Sequence, residues 1–242
     1  MIYMGSKAKY RKYIVPILQK AIDDNNIETY IECFVGGANI IEDIKCKNRL
    51  GYDRSDTLIA LLDLAANDFS KIPPRGSRES WDKGKEYVKN GIKPEDMTLA
   101  EIGAIEFLGS YRGRGFPGGY ATPSVTKDYY QAAYKNLEKQ VPKLKGIIFK
   151  AQNYWELNKT ENSVIYLDPP YQNTKTYGYA SFGKMDYTHF WNWVRKISKN
   201  NIVFVSEQIA PEDFEVIWEK EVKRTMDKNN NFSAVERLFK IK

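Results

Sequence analysis

The sequence has one histidine, His189, and two cysteines, Cys33 and Cys46, among 242 residues. A zinc site built from His and Cys would lack ligands, and no metal is expected. Neither cysteine belongs to a CxxC pair, so a disulfide framework is excluded and a reduced, cytoplasmic protein is expected. No stretch approaches the roughly 18 apolar residues of a membrane span, and Met-Ile-Tyr-Met-Gly-Ser-Lys-Ala-Lys at the start lacks the apolar segment of a signal peptide. No membrane partner is expected. Charge of one sign is not in large excess either. Lys and Arg number 37 against 31 Asp and Glu, a net +6 that hints at nucleic acid only faintly. Aromatics, in contrast, are plentiful, with 17 Tyr and 11 Phe; they either fill the core or offer stacking faces to unpaired bases. At 42% hydrophobic the chain has enough apolar surface for one large domain, or a domain with an insert.

The order of elements gives the fold class. Tyr10, Tyr13, Ile14, Ile17, Leu18 and Ala21 recur at helical spacing, with Lys and Arg opposite, and predict an amphipathic helix over 9–24. Thr29 to Phe34 is β-prone and ends in Val35, Gly36 and Gly37, so a strand runs into a tight turn. Ala38 to Ile44 reads as the next helix, Arg49 to Asp53 as a strand ending on a carboxylate, and Ser55 as the start of a helix. This β-α-β-α order predicts an α/β protein with a doubly wound parallel sheet. The texture changes after residue 67. Residues 68–149 show helical patterns over Leu99–Leu108 and Lys127–Gln140, around a glycine-rich stretch from Gly109 to Tyr120 that reads as one long exposed loop outside the core. The α/β pattern resumes at Gly146, and Ser163 to Asp168 is an apolar run ending on an acid, the mark of a buried central strand. Residues 172–186 read as a mobile segment, Tyr187–Ser198 as a helix and Asn201–Ser206 as a strand. Alternation from Glu221 and again from Val235, around Asp227-Lys-Asn-Asn-Asn, predicts an antiparallel hairpin.

Two constellations carry chemistry. Glycines after the first strand let backbone approach a ligand, and Asp53 at the end of the second can take two ribose hydroxyls or simply cap a helix. The turn fails the G-x-G-x-x-G fingerprint, which counts against a nicotinamide cofactor. The second constellation is Asp168-Pro169-Pro170-Tyr171. An exocyclic aromatic amine is a poor nucleophile because its lone pair is delocalised into the ring. Two acceptors held against its N–H bonds would localise that pair, and Asp168 with the Pro169 carbonyl supplies them. Consecutive prolines fix φ and carry no N–H, so the turn is rigid and its carbonyls stand free. Tyr171 offers a flat face to a base swung out of a duplex. A Pro-Pro turn closing a strand, with Asp as a cap, is the plainer alternative.

Phe34-Val-Gly-Gly37, Asp53 and Asp168-Pro-Pro-Tyr171, in this order with an insert between the second and third, resemble the Dam-type DNA adenine-N(6) methyltransferases, many of them phage-encoded. Tyr3-Met-Gly-Ser-Lys7 is similar to the aromatic-x-Gly-x-Lys segment that opens these enzymes. The resemblance spans nearly the whole chain and is weakest over 68–149. It implies a Rossmann-like methyltransferase fold, catalytic domain 1–67 plus 150–242 with target-recognition insert 68–149, S-adenosyl-L-methionine as methyl donor and double-stranded DNA as substrate. It further implies that Tyr3 and Lys7 contact the cofactor's methionine end, that Phe34, Gly36 and Gly37 form its floor, that Asp53 holds its ribose and that Asp168 touches both cofactor and target amine. Ala38 stands where many relatives have a third glycine; its methyl is expected to be tolerated. A monomer serving DNA protection or restriction–modification, in a bacterial or phage-infected cell, is the expected context. Cytosine-N(4) methylation, adenine methylation in RNA and a catalytically silent nucleic-acid-binding relative are the alternatives.

In such enzymes the loop region reads the target, so Tyr111, Arg112, Arg114, Phe116, Tyr120 and Lys127 are the expected DNA contacts. Relatives often show an aromatic-Asn-Gly step that this loop lacks, and its arginines could touch phosphate alone. His189 reads as a surface or capping residue, Lys9, Arg11 and Lys12, with Lys7 if it is not a site residue, as the solvated face of a helix, and at least one of Trp191 and Trp193 as core.

Overall fold

The computed structural model describes residues 1–172, 186–223 and 233–242. Its strands are β1 (Thr29–Glu32), β2 (Asn48–Asp53), β3 (Ile147–Ala151), β4 (Ser163–Leu167), β5 (Ile202–Glu207), β6 (Phe214–Lys223) and β7 (Ser233–Ile241), and its helices α1 (Arg11–Asp24), α2 (Asp56–Asp68), α3 (Arg78–Asn90), α4 (Leu99–Leu108), α5 (Tyr129–Leu144) and α6 (Tyr187–Ile197). The strands form one sheet in the order β3-β2-β1-β4-β5-β7-β6. Every pairing from β3 to β5 is parallel, and β7 joins β5 and β6 antiparallel. Chain order reverses between β1 and β4, so the carboxyl ends of these two strands flank the crevice where open α/β sheets take ligands.

Alternation along the strands divides the core in two. Tyr30, Val164, Tyr166, Phe204 and Leu238 face one side, under α1, α2, α4 and α5. Ile31, Cys33, Ile165, Leu167, Val203, Val205 and Phe239 face the other, under α6. β4 is buried at all five residues, as a strand covered on both faces requires. α1 seats Ile14, Leu18 and Ile22, one helical turn apart. Ser55 caps α2 by accepting from the Leu58 N–H, and Thr98 with Glu101 forms a capping box on α4.

Several expectations meet a different structure. Ala38–Ile44 is not a helix: Ala38 sits at φ +57° and only a single 3₁₀ turn forms, at Ile41–Asp43. A left-handed residue at the first step interrupts right-handed winding before it starts. α3 escapes the sequence pattern, because its apolar face reduces to Trp81 with Tyr87 and Val88 at its edge. The stretch 109–120 is not a loop outside the core. Gly113, Gly115 and Phe116 are buried there, and α4 and α5 share one hydrophobic cluster with α2 and the sheet. β6 begins at Phe214, earlier than the alternation suggests, because a bulge between Val216 and Trp218 shifts its phase. The expected mobile segment falls mostly on 173–185, and the hairpin tip on 224–232, both outside the described residues. Among the described residues no helix is long and apolar enough to cross a membrane, and both cysteines are free thiols.

Candidate active site

Past β1 the backbone keeps bonding to both neighbours: the Cys33 N–H donates to Tyr166 O (3.3 Å) and the Val35 N–H to Tyr52 O (2.9 Å). The turn is then pinned to Asp53, whose Oδ2 accepts from the Gly36 N–H at 3.2 Å and whose Oδ1 accepts from the Ser55 N–H at 3.1 Å. A carboxylate accepts about four hydrogen bonds, so Asp53 braces the turn and keeps acceptor capacity for a ligand. Burial raises its carboxyl above the ordinary value, against the pull of these N–H bonds.

Tyr3 lies on the turn. A Cβ on Gly36 would come within 2.8 Å of Tyr3 Cε1, and one on Gly37 within 2.8 Å of Tyr3 Cβ, so the two glycines make room for the tyrosine. The other side of this N-terminal segment touches the glycine-rich stretch. The Met4 N–H donates to Gly113 O at 3.2 Å, and a Cβ on Gly113, at φ +64°, would lie 2.3 Å from Ile2 O. Residues 2–4 are therefore clamped between the turn after β1 and the segment after α4. Phe34 lies against Tyr154 and Phe190, ring centroids 5.5 and 6.3 Å apart.

Ser6 caps a 3₁₀ turn over Lys7–Lys9, and this turn aims Lys7 inward, with 8% of its side chain exposed. Lys7 Nζ is 2.8 Å from Asp168 Oδ1 and 3.9 Å from Glu236 Oε2, and 4.6 Å from the centre of the Tyr171 ring. The Tyr171 hydroxyl donates to Glu236 Oε2 at 2.5 Å. Burial pushes the Asp168 carboxyl up to about 6, with Lys7 opposing and Glu236 adding to the rise. Burial works to lower Lys7, but Asp168 and Glu236 together carry it above the ordinary lysine value. Pro169 is buried and Pro170 exposed. The expectation of free carbonyls at this turn fails at Pro170, whose oxygen accepts from the Tyr187 hydroxyl.

Sequence reasoning overlooked three carboxylates around this centre. Glu32, buried at the end of β1, is raised well above the ordinary range by burial and then by Asp168, while Tyr30 donates its hydroxyl at 3.4 Å. Glu207, ending β5, is pushed up to about 7 by burial; it accepts from the N–H groups of Gln208 (2.7 Å) and Gln172 (3.2 Å). Glu236 reaches the site from β7. An acid closing an apolar strand is the signal that singled out Asp168, and Ile202-Val-Phe-Val-Ser-Glu207 carries it equally.

The expected DNA contacts divide. Tyr111, Arg112 and Lys127 are exposed and form one patch with Tyr129: the two tyrosine rings are 5.6 Å apart, Arg112 lies 5.5 Å over Tyr111 and Lys127 4.7 Å over Tyr129. Arg114 and Tyr120 are half-buried. Phe116 is 3% exposed, set edge-on against Trp81 at 4.8 Å, and so belongs to the core and not to an outer face. Beneath it the buried Glu106 of α4 accepts from the Thr57 hydroxyl at 2.8 Å and from the Phe116 backbone; burial brings it to about 7. His189 is exposed on α6, which Asp186 caps, with Nδ1 3.2 Å from the Tyr154 hydroxyl. Trp191 and Trp193 are both core. Among the described residues no three His, Cys, Asp or Glu side chains group to hold a metal.

Two solved structures of the rRNA methyltransferase aviRa from Streptomyces viridochromogenes overlay on this chain at 8% identity. One covers 94% of this chain and 83% of its own with a TM-score of 0.42, the other 98% and 85% with 0.45. Curated proteins gave no significant match. The model of one family, described as D12 class N6 adenine-specific DNA methyltransferase, matches residues 3–226, from the tyrosine on the glycine turn to beyond β6. The chain belongs to the D12 class of N6 adenine-specific DNA methyltransferases.

Proposed function

We propose that this protein transfers the methyl group of S-adenosyl-L-methionine to the exocyclic amine of adenine in double-stranded DNA, with the target base flipped into the pocket of Asp168-Pro169-Pro170-Tyr171. The observation that carries this reading is the meeting of Asp168, Lys7 and Tyr171 beside the glycine turn, at the point where strand order reverses. The residues present fit the methyl donor. Asp53 retains acceptor capacity for a ribose diol. Asp168 and Glu236 bring two carboxylates to the crevice, which suits a cationic ligand, and Lys7 suits the carboxylate of its methionine end. When bound, S-adenosylmethionine supplies an electrophilic methyl on a sulfonium.

The chain's own residues do the rest. Asp168 and the Pro169 carbonyl accept the two amine N–H bonds and draw the nitrogen toward tetrahedral geometry, so that its lone pair points at the electrophile. As the new N–C bond forms the amine becomes acidic, and its proton leaves to Asp168 or to solvent. No strong base is required, and positioning does most of the work. Tyr171 stacks on the flipped base and offsets part of the stacking lost from the duplex. The segment between α2 and β3, which begins at Ile147 within the expected insert 68–149, reads the target, with Tyr111, Arg112 and Lys127 as the exposed face, Arg114 and Tyr120 beside it, and Phe116 as the core support of that face. Modified-base sequencing of a plasmid incubated with protein and S-adenosylmethionine tests the reading. It predicts N6-methyladenine in one short sequence context, and a plasmid with no new modification overturns it.

A further inference from the structure

We propose that Glu236 is a positioning residue for this site: it holds the Tyr171 ring through its hydroxyl and serves as a second counter-ion to Lys7, so that Lys7 can leave Asp168 when the target amine arrives. The inference deepens the methyltransferase reading and rests on it for its kinetic half alone.

The geometry begins with strand parity. Leu238 is fully buried on the face of the sheet under α1, and Glu236, two residues earlier on β7, shares that face. Arg237 points the other way, where its guanidinium donates to Gln208 O and to Glu219. β7 lies next to β5, and its Glu236 side chain reaches back to the residues after β4. There one oxygen, Oε2, accepts from the Tyr171 hydroxyl at 2.5 Å and lies 3.9 Å from Lys7 Nζ. A strand held by nine paired positions to β6 is a rigid mount, whereas Tyr171 sits at the end of a turn. A phenol tethered at its far end keeps its ring plane fixed, which a stacking platform needs.

Lys7 has a second use for the same carboxylate. Its ammonium is closest to Asp168 Oδ1, and Asp168 is the group that must accept from the amine. A buried ammonium without a partner is strongly unfavourable, so Lys7 can release Asp168 only toward other anions; besides a ligand carboxylate, Glu236 is the one that the described residues place within 4 Å. Glu236 stands about 1 Å beyond hydrogen-bond distance. The lysine has only to turn its last bonds, while it stays over the Tyr171 ring.

Two substitutions separate these duties. Glu236→Gln keeps an oxygen that accepts from Tyr171 and removes the charge; Glu236→Ala removes both. The Tyr171 environment is read by ¹⁹F NMR of protein labelled with 3-fluorotyrosine, the resonance being assigned with Tyr171→Phe. The turnover is read as single-turnover methyl transfer and cofactor KM on a duplex bearing the sequence found by modified-base sequencing. Glu236→Ala is expected to move or broaden the Tyr171 resonance, and Glu236→Gln to leave it near its wild-type position. Both variants should lower the methyl-transfer rate at least about tenfold with cofactor KM within about twofold, and both should melt as cooperatively as the wild type. A Tyr171 resonance unmoved in Glu236→Ala overturns the tether, and a full rate in Glu236→Gln overturns the counter-ion role. If the wild-type protein methylates no duplex, the methyltransferase reading fails and the counter-ion role fails with it, while the NMR comparison still decides the tether.

Discussion

Asp168→Asn should make the protein more stable and a poorer catalyst, and the structure sets the size of the gain. Burial raises the Asp168 carboxyl from 3.8 to about 6 in spite of the Lys7 ammonium 2.8 Å away, and its side chain is 16% exposed, so solvent screens little of the effect. An acid whose value is raised on folding favours the folded state only while protonated. The folded protein is therefore free of the penalty below about pH 4, loses stability as pH rises from about 4 to 6, and carries the full loss above that. At about 1.4 kcal/mol per pH unit the loss is about 3 kcal/mol at neutral pH. The amide that replaces the carboxyl has nearly the same shape, still accepts from Lys7 and carries no charge to desolvate, while Glu236, 3.9 Å from Lys7 Nζ, remains as the ammonium's counter-ion. For a chain of this length each kcal/mol moves Tm by about 2–4 °C, so the variant should melt about 6–12 °C higher at pH 7, with the difference shrinking toward pH 4. Methyl transfer should slow at least about tenfold, because a neutral acceptor forms weaker hydrogen bonds than a charged one. Differential scanning calorimetry from pH 4 to 7 measures the gap. An Asn variant no more stable than wild type at pH 7, or a gap indifferent to pH, refutes the argument that Asp168 is held ionised against its surroundings for function.

Three further outcomes follow from particular contacts. Gly113→Ala places a methyl against Ile2 O in a left-handed conformation and should destabilise by about 1–3 kcal/mol; urea melts measure it, and loosening of residues 2–4 should raise cofactor KM as well. Thr57→Val removes the hydroxyl that donates to buried Glu106 and should lower stability by about 1–3 kcal/mol, a loss that Glu106→Gln in the same protein reduces. Arg112→Ala should relax sequence preference in a plasmid methylation assay by about 1–3 kcal/mol at one base pair; an equal loss on every sequence would assign Arg112 to phosphate.

Much of this was legible from residue order. The run from Ser163 to Leu167 announced a strand buried on both faces, and the helical pattern over Leu99–Leu108 matched α4. Asp168 and the glycine turn stood out through their order along the chain with Asp53 and the rigid Pro-Pro step, since a glycine turn or a strand-end acid alone is common. What stayed hidden depends on contacts distant in sequence. Glycines 113 and 115 looked like flexibility and instead let the chain pass against Ile2 and Glu106. Phe116 looked like a base-stacking ring until Trp81, 35 positions earlier, turned out to cover it. Glu236 gave no sign at all, since its partners, Lys7 and Tyr171, are brought to it only by the insertion of β7 beside β5.

The central claim is that Asp168 acts on an adenine amine swung out of duplex DNA. Its most direct test is mass-spectrometric analysis of nucleosides from duplex DNA treated with wild-type protein or Asp168→Ala and isotopically labelled S-adenosylmethionine, with duplex binding measured in parallel. The account predicts labelled N6-methyladenine from the wild type, and none from a variant that still binds the duplex. Label in N4-methylcytosine, or undiminished N6-methyladenine from Asp168→Ala, would contradict it.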